Sequence, residues 1–214
     1  MKIILASASA RRKEILKRLG FDFQIAPTNF NEDELEKNCA NPKKFLHDAA
    51  LGKARLAFSQ FKAAQHNKSK ILFLAADTIG VQQGKILRKV KNGTSAVVDG
   101  TSAVVNRQEA YKILQSFSDN KIEVLTGLAI IYQDKEYFTL EKSIIYFKKI
   151  KPKEIQAYLN TKTFHDKAAA LDIENILVAN FVKRIDGCYF NIMGLPIRSL
   201  KKLLKSQCQN LNVK

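Results

Sequence analysis

At 214 residues and 46% hydrophobic composition the chain can bury a full core, and no stretch approaches the roughly eighteen uninterrupted apolar residues of a membrane-spanning helix. Its formal net charge of +16 points to a polyanionic partner, such as a nucleic acid, a membrane surface or a phosphate-rich small molecule. The lysines are scattered and no aromatic-interleaved basic motif or zinc spacing occurs, so a solvated basic surface is favoured over nucleic-acid binding.

The N-terminus lacks a basic-then-apolar signal pattern, and Cys39, Cys188 and Cys208 are an odd number at no metal-ligand spacing. A soluble cytoplasmic protein with reduced thiols is expected.

The first element is a short strand, Ile3 to Leu5, followed by Ser7 and Ser9. Ile15, Leu16 and Leu19 then show helical spacing, which makes Ser9 the expected N-cap and Gly20 the expected C-cap. Arg11 and Arg12 thus fall in the first helical turn, where an exposed cation costs roughly 0.3–1 kcal/mol against the helix dipole. Phe21, Phe23 and Ile25 alternate as a strand. Asn41 caps a long helix with Pro42 at its first position and Lys53 within it. The run "ILFLAAD", 71 to 77, reads as a strand buried on both faces and ending at Asp77.

A tandem repeat follows, "GTSAVVD" then "GTSAVVN", within an insertion at about 91–106. Asp99 and Gly100 fit a two-residue turn, so a β-ribbon and a loop both remain open. Asn106 and Glu109 form a capping box and start the next helix. Residues 121 to 132 and 136 to 147 alternate around Gln133 and Asp134 as an antiparallel hairpin. Pro152 opens a helix to about Leu159, and Pro196 lies near the start of a last amphipathic helix. The layout is one α/β domain over 1–214, a mixed twisted sheet flanked by helices.

Three features carry chemistry. The first turn with Arg11 and Arg12 offers free N–H groups, hydroxyls and guanidinium forks to an anion, against the plainer alternative of solvated arginines. Asp77 at a strand terminus is where α/β folds present catalytic groups, although aspartates also simply close strands. Glu32 in "NFNEDE" is either an exposed loop acid or the second carboxylate of a magnesium pair.

Taken in order, these segments resemble the Maf-like nucleotide pyrophosphatases, the septum formation family. "LASASARR" corresponds to the family's opening signature, with Ala10 in place of proline. "NFNE", "AALGKA", "AADT", "GKILRK", "VLTGLAI", "HDKAAALDIE" and "GCYFNIMGLPI" follow the family's order over nearly the whole chain. The resemblance implies an elongated fold like that of inosine-triphosphate pyrophosphatases. It also implies hydrolysis of (d)NTPs at the α-phosphorus to NMP and pyrophosphate, including clearance of non-canonical or modified nucleotides.

By the same resemblance, Asp77 is the proton acceptor, and Glu32 with Asp77 holds Mg²⁺ or Mn²⁺. Ser7, Ser9, Arg11, Arg12, Lys53 and Lys89 cradle the triphosphate, and Thr78 and Glu174 occupy positions that read the base. A nucleoside triphosphate is the implied partner, with no membrane involved, and a homodimer is compatible.

The segment "KAAALDIEN" departs from the family's glycine-rich version, and alanine, aspartate and asparagine tolerate positive φ less readily than glycine. Val90 replaces a usual proline after Lys89, and Ile122 a usual histidine. Arg11 and Thr78 fit the branch selective for dTTP and UTP, whereas Glu174 stands where that branch has glutamine and the methylated-guanine branch has glutamate. Two other classes stay open here: a catalytically decayed nucleotide- or partner-binding regulator of division, and a basic nucleic-acid-binding protein.

Overall fold

In the computed structural model, residues 2–32, 34–35, 39, 41–62, 71–87, 89–90, 102–165 and 167–207 are described. Their strands are β1 (Lys2–Leu5), β2 (Phe23–Ile25), β3 (Ile71–Gln82), β4 (Lys85–Leu87), β5 (Lys121–Tyr132), β6 (Lys135–Phe147) and β7 (Val182–Asp186). The helices are α1 (Ala10–Arg18), α2 (Pro42–Lys62), α3 (Ser102–Ser116), α4 (Pro152–Asn160), α5 (Ile176–Phe181), α6 (Tyr189–Ile192) and α7 (Ile197–Gln207). The sheet order is β2-β1-β3-β5-β6-β7, with β4 paired to β3. β1 lies parallel to β2 and β3, while β3/β4 and β6/β7 are antiparallel, so the sheet is mixed and the fold α/β as expected.

The chain forms two compact units, residues 1–78, 125–142 and 188–214 in one and 79–124 and 143–187 in the other. In the first, Ala50, Leu51, Ala54 and Ala57 of α2 pack on Ile4 and Ala6, on Ile71, Phe73 and Ala75, and on Ala129 and Ile131. Alanines let a helix approach a sheet closely, and the period-two pleat puts Asp77 on the face of β3 already set by Ile71, Phe73 and Ala75. β1 ends opposite Leu74, so Asp77 and Thr78 lie beyond the end of their neighbour on that side. In the second unit Phe117 stacks on Phe147 with centroids 5.0 Å apart, and Tyr158 meets Phe181 edge-on at 6.1 Å.

Several predicted boundaries match the observed ones. Asn41 Oδ1 accepts the Lys43 and Lys44 amides at 3.0 and 3.1 Å, capping α2. Gly20 takes φ +72 after α1. Gln133 and Asp134 join β5 to β6 with φ of 51 and 59, both positive as a two-residue hairpin of the favoured hand requires.

Two expectations are corrected. Asp77 does not close its strand, because β3 continues to Gln82. Thr78, Ile79 and Val81 keep strand-forming side chains, and the turn at Gln83 and Gly84 folds β4 back onto 80–82. From Ser102 the second copy of the repeat is helix and not a ribbon, since α3 begins there and Asn106 lies inside it rather than capping it. Extending a formed helix adds a hydrogen bond for each residue fixed, and this outweighs the weak strand preference of paired valines. The first copy and the Asp99–Gly100 turn lie outside the described residues.

Candidate active site

The polar groups of the first unit gather where β1 gives way to α1. Ser9 caps α1, its side chain accepting the Arg12 amide at 3.4 Å. Ser7 Oγ accepts from the Ser9 amide at 3.2 Å and from Arg12 Nη1 at 3.1 Å. With both lone pairs engaged, the Ser7 hydroxyl keeps its proton to donate.

Arg12 spans the site. Its Nε donates to the Gly194 carbonyl at 2.8 Å and its Nη2 to Thr78 Oγ1 at 3.1 Å. Three of a guanidinium's five N–H groups are thereby used within the protein, and two remain for an anion. Gly194 has φ +100, and a Cβ there would stand 3.2 Å from Thr78 Oγ1 and 3.5 Å from Arg12 Nε. Any side chain at Gly194 would therefore combine backbone strain with crowding of the Thr78 hydroxyl.

A directed hydroxyl chain continues from Arg12. Thr126 Oγ1 donates to the Asn191 carbonyl at 3.0 Å, which commits its only proton. The 3.0 Å contact between Thr78 and Thr126 therefore has Thr78 as donor, so Thr78 can only accept from a further group. Thr126 and Asn191 are fully buried. Sequence reasoning missed both, although a polar residue inside the apolar run "VLTGLAI" is the kind of signal that marks a buried hydrogen-bonded group.

Asp77 and Lys53 are buried, at 1% and 7% exposure, where a lone charge would cost several kcal/mol. Lys53 Nζ lies 2.8 Å from Asp77 Oδ1 and 2.5 Å from Glu32 Oε1, so one ammonium is paired with two carboxylates. Glu32 reaches this point because Phe30, whose carbonyl accepts the Glu32 amide at 3.0 Å, lies against Gly52. A Cβ on Gly52 would come within 2.2 Å of the Phe30 ring. Gly52 thus positions Glu32 from the residue adjacent to Lys53.

The two arginines in the first helical turn now have their explanation. Burial pulls the Arg12 pKa down, the charges of Asp77 and then Glu32 push it up, and Arg11 lowers it further. Asp77 and Glu32 thus offset the positive end of α1. With Arg11, Arg12 and Lys53 against the two acids, the cluster carries one net positive charge.

Thus Ser7, Ser9, Arg12 and Thr78 are joined by hydrogen bonds, Glu32, Lys53 and Asp77 by ion pairs, and half-buried Arg11 acts on Arg12 through its charge. Lys89 and Glu174 belong to the second unit, Lys89 half-buried after β4 and Glu174 exposed in the turn before α5. In that unit the Tyr158 hydroxyl donates to the Ala170 carbonyl and accepts the Asp172 amide, both at 2.9 Å. Ala169 and Ala170 take φ of 54 and 55, so the segment is left-handed at both alanines.

Among the described residues no three His, Cys, Asp or Glu side chains are grouped to hold a metal ion. Glu32 and Asp77 supply a pair of hard oxygen donors, the number with which Mg²⁺ completes its shell from water and phosphate. The donor set fits such an ion. Among the same residues no helix is long and apolar enough to cross a membrane.

Residues 2–207 match the family model described as Maf-like protein. A dTTP/UTP pyrophosphatase of Clostridium perfringens strain SM101 is 32% identical over 208 residues, covering 96% of this chain and 97% of its own. Another dTTP/UTP pyrophosphatase, from Caldanaerobacter subterraneus subsp. tengcongensis, is 34% identical over 209 residues, covering 97% of this chain and 89% of its own. A solved HAM1 protein from Coxiella burnetii overlays with a TM-score of 0.40 at 13% identity, over 69% of this chain and 73% of that one. A likeness that slight carries no part of the functional reading.

Proposed function

This chain belongs to the Maf-like family, and from that premise we propose that it is a nucleoside triphosphate pyrophosphatase acting at the α-phosphorus of NTPs or dNTPs. The observation that carries the reading is the Lys53 ammonium paired with both Glu32 and Asp77, in a cluster whose charges also act on Arg12. Acids for a proton and a metal, and cations for a polyphosphate, thus meet within one unit.

The reaction needs a water oxygen to form a bond to the α-phosphorus while the bond to the α,β-bridging oxygen breaks and pyrophosphate leaves. Asp77 takes the proton released by that water as the general base. The two unused N–H groups of Arg12, the proton of Ser7 and the side chains of Ser9, Arg11 and Lys53 hold the phosphates. Little covalent chemistry is asked of the protein, and positioning and neutralisation of charge supply most of the acceleration. Glu32 and Asp77 would hold the Mg²⁺ or Mn²⁺, which supplies Lewis-acid neutralisation of phosphate charge when bound.

Thr78 enters base reading as an acceptor only. It therefore favours base edges that present N–H groups. The names of the two relatives put dTTP and UTP first in the test. Incubating the purified protein with Mg²⁺ or Mn²⁺ and dTTP, UTP, CTP, GTP or 7-methyl-GTP should release monophosphate and pyrophosphate in equal amounts. Release of orthophosphate alone, or no hydrolysis of any nucleotide, would overturn the reading.

A further inference from the structure

We infer that Lys53 is a built-in placeholder cation, so that a divalent metal gains Glu32 and Asp77 only by displacing its ammonium, and does so readily only when a polyphosphate is present. The inference rests on the pyrophosphatase reading for its metal and its phosphate, but its physical content lies in three side chains of this protein.

The geometry is specific. Lys53 Nζ stands 2.5 Å from Glu32 Oε1 and 2.8 Å from Asp77 Oδ1, so one oxygen of each prospective metal ligand is engaged by the same positive charge. Lys53 and Asp77 are both buried, and water cannot readily substitute for either partner. A divalent ion sharing this spot with the ammonium would meet repulsion from it and from Arg12, which the same two acids already serve.

Charge balance gives the order of events. Without nucleotide the cluster of Arg11, Arg12, Lys53, Glu32 and Asp77 is already positive by one, and a divalent ion alone would raise this to three. A triphosphate adds several negative charges at once. It then accepts the Lys53 ammonium as a phosphate ligand and leaves the two carboxylates to the metal. Metal and nucleotide should therefore bind with positive coupling, because each removes what opposes the other.

Direct binding of Mn²⁺ alone, followed through the electron paramagnetic resonance of the free ion, tests this without reference to turnover. Nucleotide-free wild type should bind Mn²⁺ weakly, and Lys53→Met should bind it at least tenfold more tightly. Lys53→Arg, which keeps the charge, should remain as weak as wild type. Adding Asp77→Asn to Lys53→Met should abolish the gain. If Lys53→Met is marginally folded, Mn²⁺ should raise its melting temperature by several degrees more than that of wild type, since a ligand binding only the folded state stabilises it.

Equal Mn²⁺ affinity and equal thermal shifts in wild type and Lys53→Met would overturn the inference, as would a gain that survives Asp77→Asn. The two readings fail separately. Hydrolysis by wild type without the Lys53→Met gain rejects the placeholder alone. The gain without hydrolysis of any nucleotide rejects the pyrophosphatase alone.

Discussion

The charged cluster around Arg12 and Lys53 and the segment 167–175 arrange polar groups by opposite means. In the first, side chains distant in sequence are fixed by ion pairs and hydroxyls, and positive φ is confined to Gly194, where no Cβ opposes it. In the second, the backbone itself holds an unfavourable shape, with Ala169 and Ala170 both left-handed at a cost of roughly 1–2 kcal/mol each. Tyr158 fixes that shape with two hydrogen bonds. The second segment thus carries its cost as backbone strain, whereas the cluster depends on each charged partner being present.

The largest expected effect follows from removing a charge at the cluster. Asp77→Asn should lower kcat for pyrophosphate release by about 10²–10⁴, the range of general-base contributions, while circular dichroism shows an intact fold. Arg12→Ala comes next, because it deletes donors to Gly194, Ser7 and Thr78 as well as phosphate contacts. It should cost about 2–4 kcal/mol, seen as a melting-temperature fall of roughly 5–15 °C, and should raise KM strongly. A rise in KM with unchanged melting would show that the hydrogen bonds of Arg12 add little to the fold.

Changes in the second region should be smaller and should affect stability before chemistry. Tyr158→Phe should cost about 1–3 kcal/mol and speed hydrogen exchange at the Asp172 amide. Ala170→Gly should act in the opposite direction. Relief of strain, less the greater freedom of glycine in the unfolded chain, should stabilise by about 0.5–1 kcal/mol, measured as a higher urea midpoint. A loss of stability in Ala170→Gly would mean that the segment is not strained, and the contrast between the regions would fall.

Legibility in the sequence followed the range of the interactions. Ser9, Asn41 and the Gln133–Asp134 turn were readable because their signals act over three or four residues. The continuation of β3 past Asp77 was not, since "LAAD" ends like a strand and only pairing with β4 shows otherwise. The start of α3 at Ser102 was missed because paired valines favour strands locally and helix extension overrides that preference. At the site, the types of residue were legible from motif order. Their geometry was not, because the union of Lys53 with Asp77 and Glu32 and the chain from Arg12 through Thr78 and Thr126 to Asn191 join positions far apart along the chain. Gly52 gave no sign of its contact with Phe30.

Hydrolysis of UTP in ¹⁸O-labelled water, with the products resolved by mass spectrometry, addresses the α-phosphorus chemistry most directly. Attack there, with Asp77 drawing the proton, deposits the label in uridine monophosphate and leaves pyrophosphate unlabelled, and Asp77→Asn lowers both products by about 10²–10⁴. Label in the pyrophosphate, or turnover undiminished in Asp77→Asn, would contradict this account.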